Sequence, residues 1–375
     1  MKKKNNYFLI CILIMSLFSC KRTEFKILEF APDKDIHVPN VRIKSIIELE
    51  TNDSCLIGEI SKISIIPKSI IILDKFKSRG LFVFNSEGKF VSRTNIGRGP
   101  GEISDPWDFI IDKQNQTIIV WESSNFSMME YDYNLNFKKT EKYPGLFLHS
   151  MEIIDNEHIL VSSQSNPYLP QKDGDGKFLP YNYFIYKKGF SELVNKLLPT
   201  KAEFCGFSPD VPICSTNRIL FLNSLDFNIY SLNNYKPQII YKMDFGKLTL
   251  TESDMNKGRS YILDQIRNGN KVGFFDNLFE NEQFLSFSFG RWTKNHFYIY
   301  SKKTEMNYFS ENIFRKKVLP KCLIKGILND GTFIAIVNAQ DLKDFLPENN
   351  TYNINLQAIS EFSNNYILYF SINEL

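Results

Sequence analysis

Ile70-Ile71-Ile72-Leu73-Asp74, then Leu81-Phe82-Val83-Phe84-Asn85, a Ser86-Glu87-Gly88 turn and Lys89-Phe90-Val91, form a unit that recurs in outline immediately downstream. There Ile119-Val120-Trp121-Glu122 is followed by Met129-Glu130-Tyr131-Asp132-Tyr133-Asn134 and by Phe137-Lys138. Both units read as an apolar strand, a polar loop, a strand of alternating aromatics, an Asn-containing turn and an outer strand. Each run is rich in β-branched and aromatic residues, has strand length, and is too short for a helix. Alternation sends one set of side chains between neighbouring units, the packing that stacks small sheets around a ring.

Further runs carry the pattern along the chain: His158-Ile159-Leu160-Val161, Ile219-Leu220-Phe221-Leu222, Phe297-Tyr298-Ile299-Tyr300 and Phe333-Ile334-Ala335-Ile336. Their spacing is irregular but falls mostly near the roughly 40–50 residues of a four-stranded blade. Six units fit, and the expected fold is all-β, a six-bladed β-propeller over residues 41–375. The sixth unit is short of a strand, its last clear run being Tyr366-Ile367-Leu368-Tyr369-Phe370, while Val41–Leu49 is left over near the start. Closing the ring with that N-terminal strand removes a free sheet edge. One segment breaks the pattern. Thr251-Glu252-Ser253-Asp254 reads as a capping box, and Met255, Ile262 and Ile266 share a helical face before Gly269. A helix is expected over 251–268, in an insertion reaching to about residue 280, either covering one face of the ring or packing as a decoration.

The N-terminus carries a different message. Met1-Lys2-Lys3-Lys4 precedes an apolar run from Tyr7 to Phe18, which has the parts of an export signal over residues 1–19. Twelve residues fall short of the roughly 20 that span a bilayer as a helix. Leu17-Phe18-Ser19-Cys20 resembles the bacterial lipobox, which implies lipidation at Cys20 and a membrane partner through that anchor; Lys21 follows it. Residues 20–40 read as a tether, with two prolines and no clear period. Removing residues 1–19 takes away three lysines and no acid, so 45 Lys+Arg against 42 Asp+Glu becomes 42 against 42. A body without net charge has no general footprint for nucleic acid. Cys11 leaves with the signal, and Cys55, Cys205, Cys214 and Cys322 are too few for a disulfide-built fold. Cys205 and Cys214 stand as either a disulfide or buried thiols.

Ile96-Gly97-Arg98-Gly99-Pro100-Gly101-Glu102 runs into Pro106-Trp107-Asp108-Phe109-Ile110-Ile111-Asp112. Glycines admit positive φ and Pro100 fixes one φ, which suits a tight crossover between strands built on Gly97, Gly99, Pro100 and Gly101. It is no nucleotide loop, because the third glycine is misplaced and a strand follows instead of a helix. The stretch resembles the blade junction of NHL-type propellers. With the lipobox and the count of six, the chain resembles the six-bladed β-propeller lipoproteins of Bacteroidetes. That resemblance implies a binding or scaffold role at the cell envelope, at the outer membrane, and carries no established chemistry with it.

No catalytic constellation is visible. His37, His149, His158 and His296 are scattered, and Gly189-Phe190-Ser191 and Gly206-Phe207-Ser208 lack the closing glycine of a nucleophile elbow. Asp173-Gly174-Asp175-Gly176 fails as an EF-hand, since Lys177 occupies a ligand position and Phe184 stands where Glu belongs. No cofactor or metal is expected. Asp74, Arg98, Glu102, Trp107 and Trp121 are the candidate ligand contacts near the channel mouth: Arg98 could grip a carboxylate in bidentate fashion and Trp107 stack on a sugar or peptide ring. The alternative for Arg98 and Glu102 is to pin the junction. Two functions follow: an envelope module binding a glycan, peptide or protein, or a propeller hydrolase, lactonase or lyase using a channel-bound divalent metal, the latter on fold analogy alone.

Overall fold

The computed structural model describes residues 25–30, 38–163, 181–201, 204, 207, 211–215, 218–349, 359 and 363–373. Six small antiparallel sheets follow one another along the chain. The first blade is built from Lys62–Ile66, Ser69–Asp74, Gly80–Asn85 and Phe90–Arg93, and the second from Pro106–Asp112, Thr117–Glu122, Ser127–Asp132 and Phe137–Lys142. The third comprises Ser150–Ile153, His158–Ser162, Tyr181–Lys187 and Leu193–Pro199; the fourth, Ile213–Ser215, Ile219–Leu222, Asn228–Asn233 and Lys236–Asp244. The fifth comprises Gly273–Glu280, Phe284–Arg291, Lys294–Ser301 and Asn307–Phe309, and the sixth Leu323–Ile327, Phe333–Val337 and Tyr366–Asn373 with Asn40–Glu48 as its outer strand. First strands touch first strands of adjacent blades, so they line the centre. Second strands are sandwiched on both sides and are buried almost throughout, which is why they stood out as unbroken apolar runs.

The protein is therefore an all-β, six-bladed propeller closed by its N-terminal strand. Asn40–Glu48 pairs antiparallel with Tyr366–Asn373, from Asn40 opposite Asn373 to Glu48 opposite Tyr366. A clasp secures the closure. Asn364, buried, accepts from the Ile57 amide (2.8 Å) and donates to the carbonyls of Glu50 (2.7 Å) and Cys55 (2.8 Å).

The structure departs from expectation in three places. Within the stretch read as a tether, Lys26–Glu29 is a strand, parallel to Lys236–Asp244 on the outer edge of the fourth blade. Leu28 and Phe30 fix it there by burial between the fourth and fifth blades, Phe30 stacking on Phe245 at 3.8 Å. The inserted helix is two helices, α1 (Glu252–Met255) and α2 (Arg259–Arg267), broken at Gly258 with φ 87°. The capping box is present, but the insertion stops short of residue 280, because Gly273–Glu280 is the innermost strand of the fifth blade. Two further helices, α3 (Ser310–Arg315) and α4 (Ala339–Asn349), had no expectation.

The two faces of the ring differ. First-to-second and third-to-fourth strand connections run two to five residues and make one face plain. Every longer connection joins elements on the opposite face, which carries all four α-helices among the described residues. There Ile262 and Ile266 of α2 pack on Phe204, Leu250, Leu225 and Phe274, over the fourth and fifth blades.

Candidate functional site

At the blade junction, Gly101 has φ 78° and lies so close to Phe137 that a Cβ would sit 2.8 Å from that side chain's Cβ. Glu102 folds back over the loop and accepts the Gly99 amide at 2.8 Å, and a Cβ on Gly97 would fall 2.0 Å from its carboxylate. Asn95–Ile96 and Glu102–Ile103 pair as a short parallel ribbon. Glu102 thus holds the loop with Gly97, Gly99, Pro100 and Gly101, while Arg98 is exposed on it.

Two more of the candidate contacts have other work. Asp74, at the end of a second strand, is fully buried and accepts the amides of Gly58, Glu59, Phe76, Lys77 and Ser78 at 2.8–3.2 Å. Burial would raise its pKa, but those N–H groups outweigh it and hold the carboxyl below the usual range. Its lone pairs are occupied, which corrects the reading of Asp74 as a ligand contact. Glu122 has the same job in the second blade, accepting from Ser104, Asp105, Ser124 and Asn125. Trp121 is fully buried between the second and third blades among Leu148, Val161 and Phe184, out of reach of any ligand.

Trp107 stands elsewhere. It opens the innermost strand of the second blade on the loop-rich face, half-buried. The connection after Asp74 brings Lys75 and Phe76 to it, and the connection into the third blade brings Phe147 and His149. The Lys75 ammonium lies 5.7 Å from the ring centroid, His149 and Phe76 meet the ring edge-on at 5.6 and 6.4 Å, and the Trp107 Nε1–H is buried without a hydrogen-bond partner. A missing partner on a buried donor costs about 1–3 kcal/mol, so an acceptor that reaches it through a shift of the neighbouring rim side chains is favoured. On the same face Trp292 is 42 % exposed, with the Arg291 guanidinium 4.1 Å from its ring.

Below the rim, charged and polar side chains of the innermost strands cross the centre. Lys62 donates to Asp108 Oδ1 and to the Phe109 carbonyl, both at 2.8 Å, and Asp108 Oδ2 accepts the Met151 amide at 2.8 Å. Lys325 donates to the Ser61 carbonyl (3.0 Å) and to Asn277 (3.2 Å), and Asp276 accepts the Val211 amide at 2.7 Å. These side chains satisfy strand edges that face the channel and have no neighbouring strand. Glu152 differs: among the described residues its carboxylate takes only the adjacent Ile153 amide, at 3.3 Å. Burial pushes its pKa up to about 7, with Lys62 opposing and Asp108 adding to the rise. Sequence reasoning missed Lys75, His149, Lys62, Asp108, Glu152 and Lys325; the available signal was one charged residue in strands such as Ser150–Ile153 and Leu323–Ile327.

Cys214 is buried, its sulfur accepts the Glu280 amide at 3.2 Å, and burial drives its thiol up to about 12. Cys205, Cys20 and the Asp173–Gly176 turn lie outside the described residues. Among the described residues no three His, Cys, Asp or Glu side chains are grouped to hold a metal ion, and no helix is long and apolar enough to cross a membrane.

Fold and site define a propeller with a pinned channel and an aromatic, donor-rich rim on its loop face. The chain belongs to the family described as Domain of unknown function (DUF4934), which matches residues 43–370. It is similar in structure to a candidate exported protein of Bacteroides fragilis, with TM-score 0.74 and 19 % identity, covering 93 % of this chain and 100 % of that one. A member of the duf4221 family from Bacteroides vulgatus is similar at TM-score 0.58 and 10 % identity, covering 89 % and 98 %. At these identities the likeness establishes the fold. No functionally curated protein matches.

Proposed function

We propose that the protein is a lipid-anchored module of the cell envelope, held at the outer membrane through Cys20, whose NHL-like propeller binds a glycan over Trp107. Export is supported by the basic start, the apolar run and Cys20 in the sequence, and by the similar B. fragilis protein being described as exported. The observation that carries the binding reading is the Trp107 indole, whose Nε1–H has no partner while its ring meets Phe76, Phe147 and His149. A sugar ring offers both complements: hydroxyl oxygens that accept, and a C–H face that packs on aromatics. Metal-dependent hydrolysis has no set of three grouped ligands among the described residues.

The test is a titration of the purified protein with a panel of oligosaccharides, read by tryptophan emission and calorimetry. Trp107→Phe keeps the packing and removes the N–H. Loss of that hydrogen bond should weaken binding about tenfold, in line with roughly 1–2 kcal/mol. A ligand that binds Trp107→Phe and Trp107→Ala as tightly as the native protein would exclude this rim as its site.

A further inference from the structure

We infer that the plain, short-turn face at the outer corner of the fourth and fifth blades lies against the lipid bilayer, so that the face carrying Trp107 points away from it. The inference rests on lipidation of Cys20 and adds an orientation that the sequence does not contain. Lys26–Glu29 runs parallel to Lys236–Asp244, with Lys26 opposite Tyr241 and Glu29 opposite Asp244. Lys236–Asp244 begins at the short turn that follows Asn233, so the chain enters the ring from the short-turn side. Phe25 lines a groove with Asn233, Asn234 and Lys236–Ile239, at that same turn. Tyr235 of the turn donates to Asp155 at 2.9 Å, and Asp155 lies in the first-to-second connection of the third blade, which belongs to the plain face.

Chain length then limits the distance. Only four residues lie between Cys20 and Phe25, so the five Cα-to-Cα steps reach at most about 18 Å when fully extended. The strand itself is held by burial of Leu28 and Phe30 and by an ion pair between Lys26 and Glu305, so the entry point cannot drift around the ring. The corner has the chemistry of an interfacial contact. Phe25, Ile27 and Met306 are 39, 52 and 39 % exposed, Lys236 is exposed, and the Lys242 ammonium lies 4.2 Å from the Phe25 ring. Aromatic and aliphatic groups beside lysines seat in the headgroup zone, with the ammonium groups toward phosphate.

The experiment uses full-length protein purified from membranes and placed in liposomes containing brominated phospholipid, which quenches tryptophan only at close range. The native tryptophans lie in the core or on the loop face, so native emission should be unchanged. Phe25→Trp adds a fluorophore at the corner, and that added emission should fall at least about twofold, as expected for a side chain seated about 5–10 Å into the interface. Quenching of native emission, or none of the added component, overturns the orientation. Mass measurement of the N-terminal peptide separates the premises: an unmodified Cys20 sinks the lipoprotein reading as well, whereas an acylated Cys20 with an unquenched Phe25→Trp sinks the orientation alone.

Discussion

Replacing Glu152 by Gln should stabilise the protein at neutral and alkaline pH and leave it unchanged in acid. The carboxyl sits among the innermost strands, with Lys62 and Asp108 as its charged neighbours, and its pKa rises from 4.5 to about 7 because burial disfavours the anion. A folded state that holds its proton longer than the unfolded chain loses stability as pH rises between the two values. Below pH 4.5 both states are protonated and the term vanishes; above about 7 it is complete. The gap corresponds to at most about 3 kcal/mol at 1.36 kcal/mol per pH unit, an upper bound because the half-buried side chain keeps some contact with solvent. Glutamine keeps the shape and cannot ionise, so the difference between variant and native protein should grow from zero to that size across this window. Urea denaturation at pH 4.5, 6 and 8 measures it, with equal slopes and shifted midpoints as the signature of a stability change. If the midpoints of the two proteins differ by the same amount at pH 4.5 and pH 8, the burial argument is refuted.

Asn364→Ala removes three hydrogen bonds at the ring closure and strands the Ile57 amide and the Cys55 carbonyl, while the Glu50 carbonyl keeps the Cys55 thiol as a weak donor, so it should cost about 2–4 kcal/mol by urea denaturation. A loss below about 0.5 kcal/mol would show that strand pairing alone closes the ring. Asp74, held below its usual pKa, contributes stability that is fully present above its unfolded value of 3.8 and is lost as pH falls through the lower folded value. Asp112 and Asp132 are shifted the same way, so acid titration followed by circular dichroism should show unfolding beginning below about pH 4. Asp74→Ala should remove part of that dependence and cost about 2–4 kcal/mol at pH 7, whereas an unchanged acid transition in that variant would deny Asp74 its pinning role.

What could be read from residues alone depended on burial. The second strands are sandwiched between blades on both sides, so Ile70–Leu73 and Ile118–Trp121 had to be apolar throughout and announced themselves. The closing strand was legible because Tyr366–Phe370 otherwise had an open edge. Lys26–Glu29 was not, because only Leu28 within it and Phe30 just beyond it are buried, and two apolar positions between charges do not make a period. The helix α4 hid for another reason: it lies between the second and third strands of the sixth blade, where a repeat-based reading leaves no room for it. At the site, Asp74 and Trp121 attracted notice as a polar and an aromatic residue near a strand end. Those are also the places where a repeat fold needs a pin for the next loop and a wedge between blades. Trp107 differs from them only by its position at the start of an innermost strand, which composition does not reveal.

The division of labour within the ring also bears on where a ligand can be recognised. Closing a sheet bundle around an axis leaves the inner edges of six strands unpaired, and each exposed amide or carbonyl there demands a partner. Lys62, Asp108, Asp276 and Lys325 supply such partners, each reaching from one blade to the backbone of another. Their charges are thereby committed: drawing Lys62 toward a ligand would take its ammonium from the Phe109 carbonyl and from Asp108 Oδ1 at once, leaving Asp108 only the Met151 amide. A channel with these polar groups spoken for is a structural axle, with Glu152 as the described exception and the source of its pH response. Specificity then falls to groups that the axle does not use. On the described loop face these are the Trp107 N–H, at the rim end of an innermost strand, and the exposed Trp292 ring, on a connection whose sequence can change without breaking a blade.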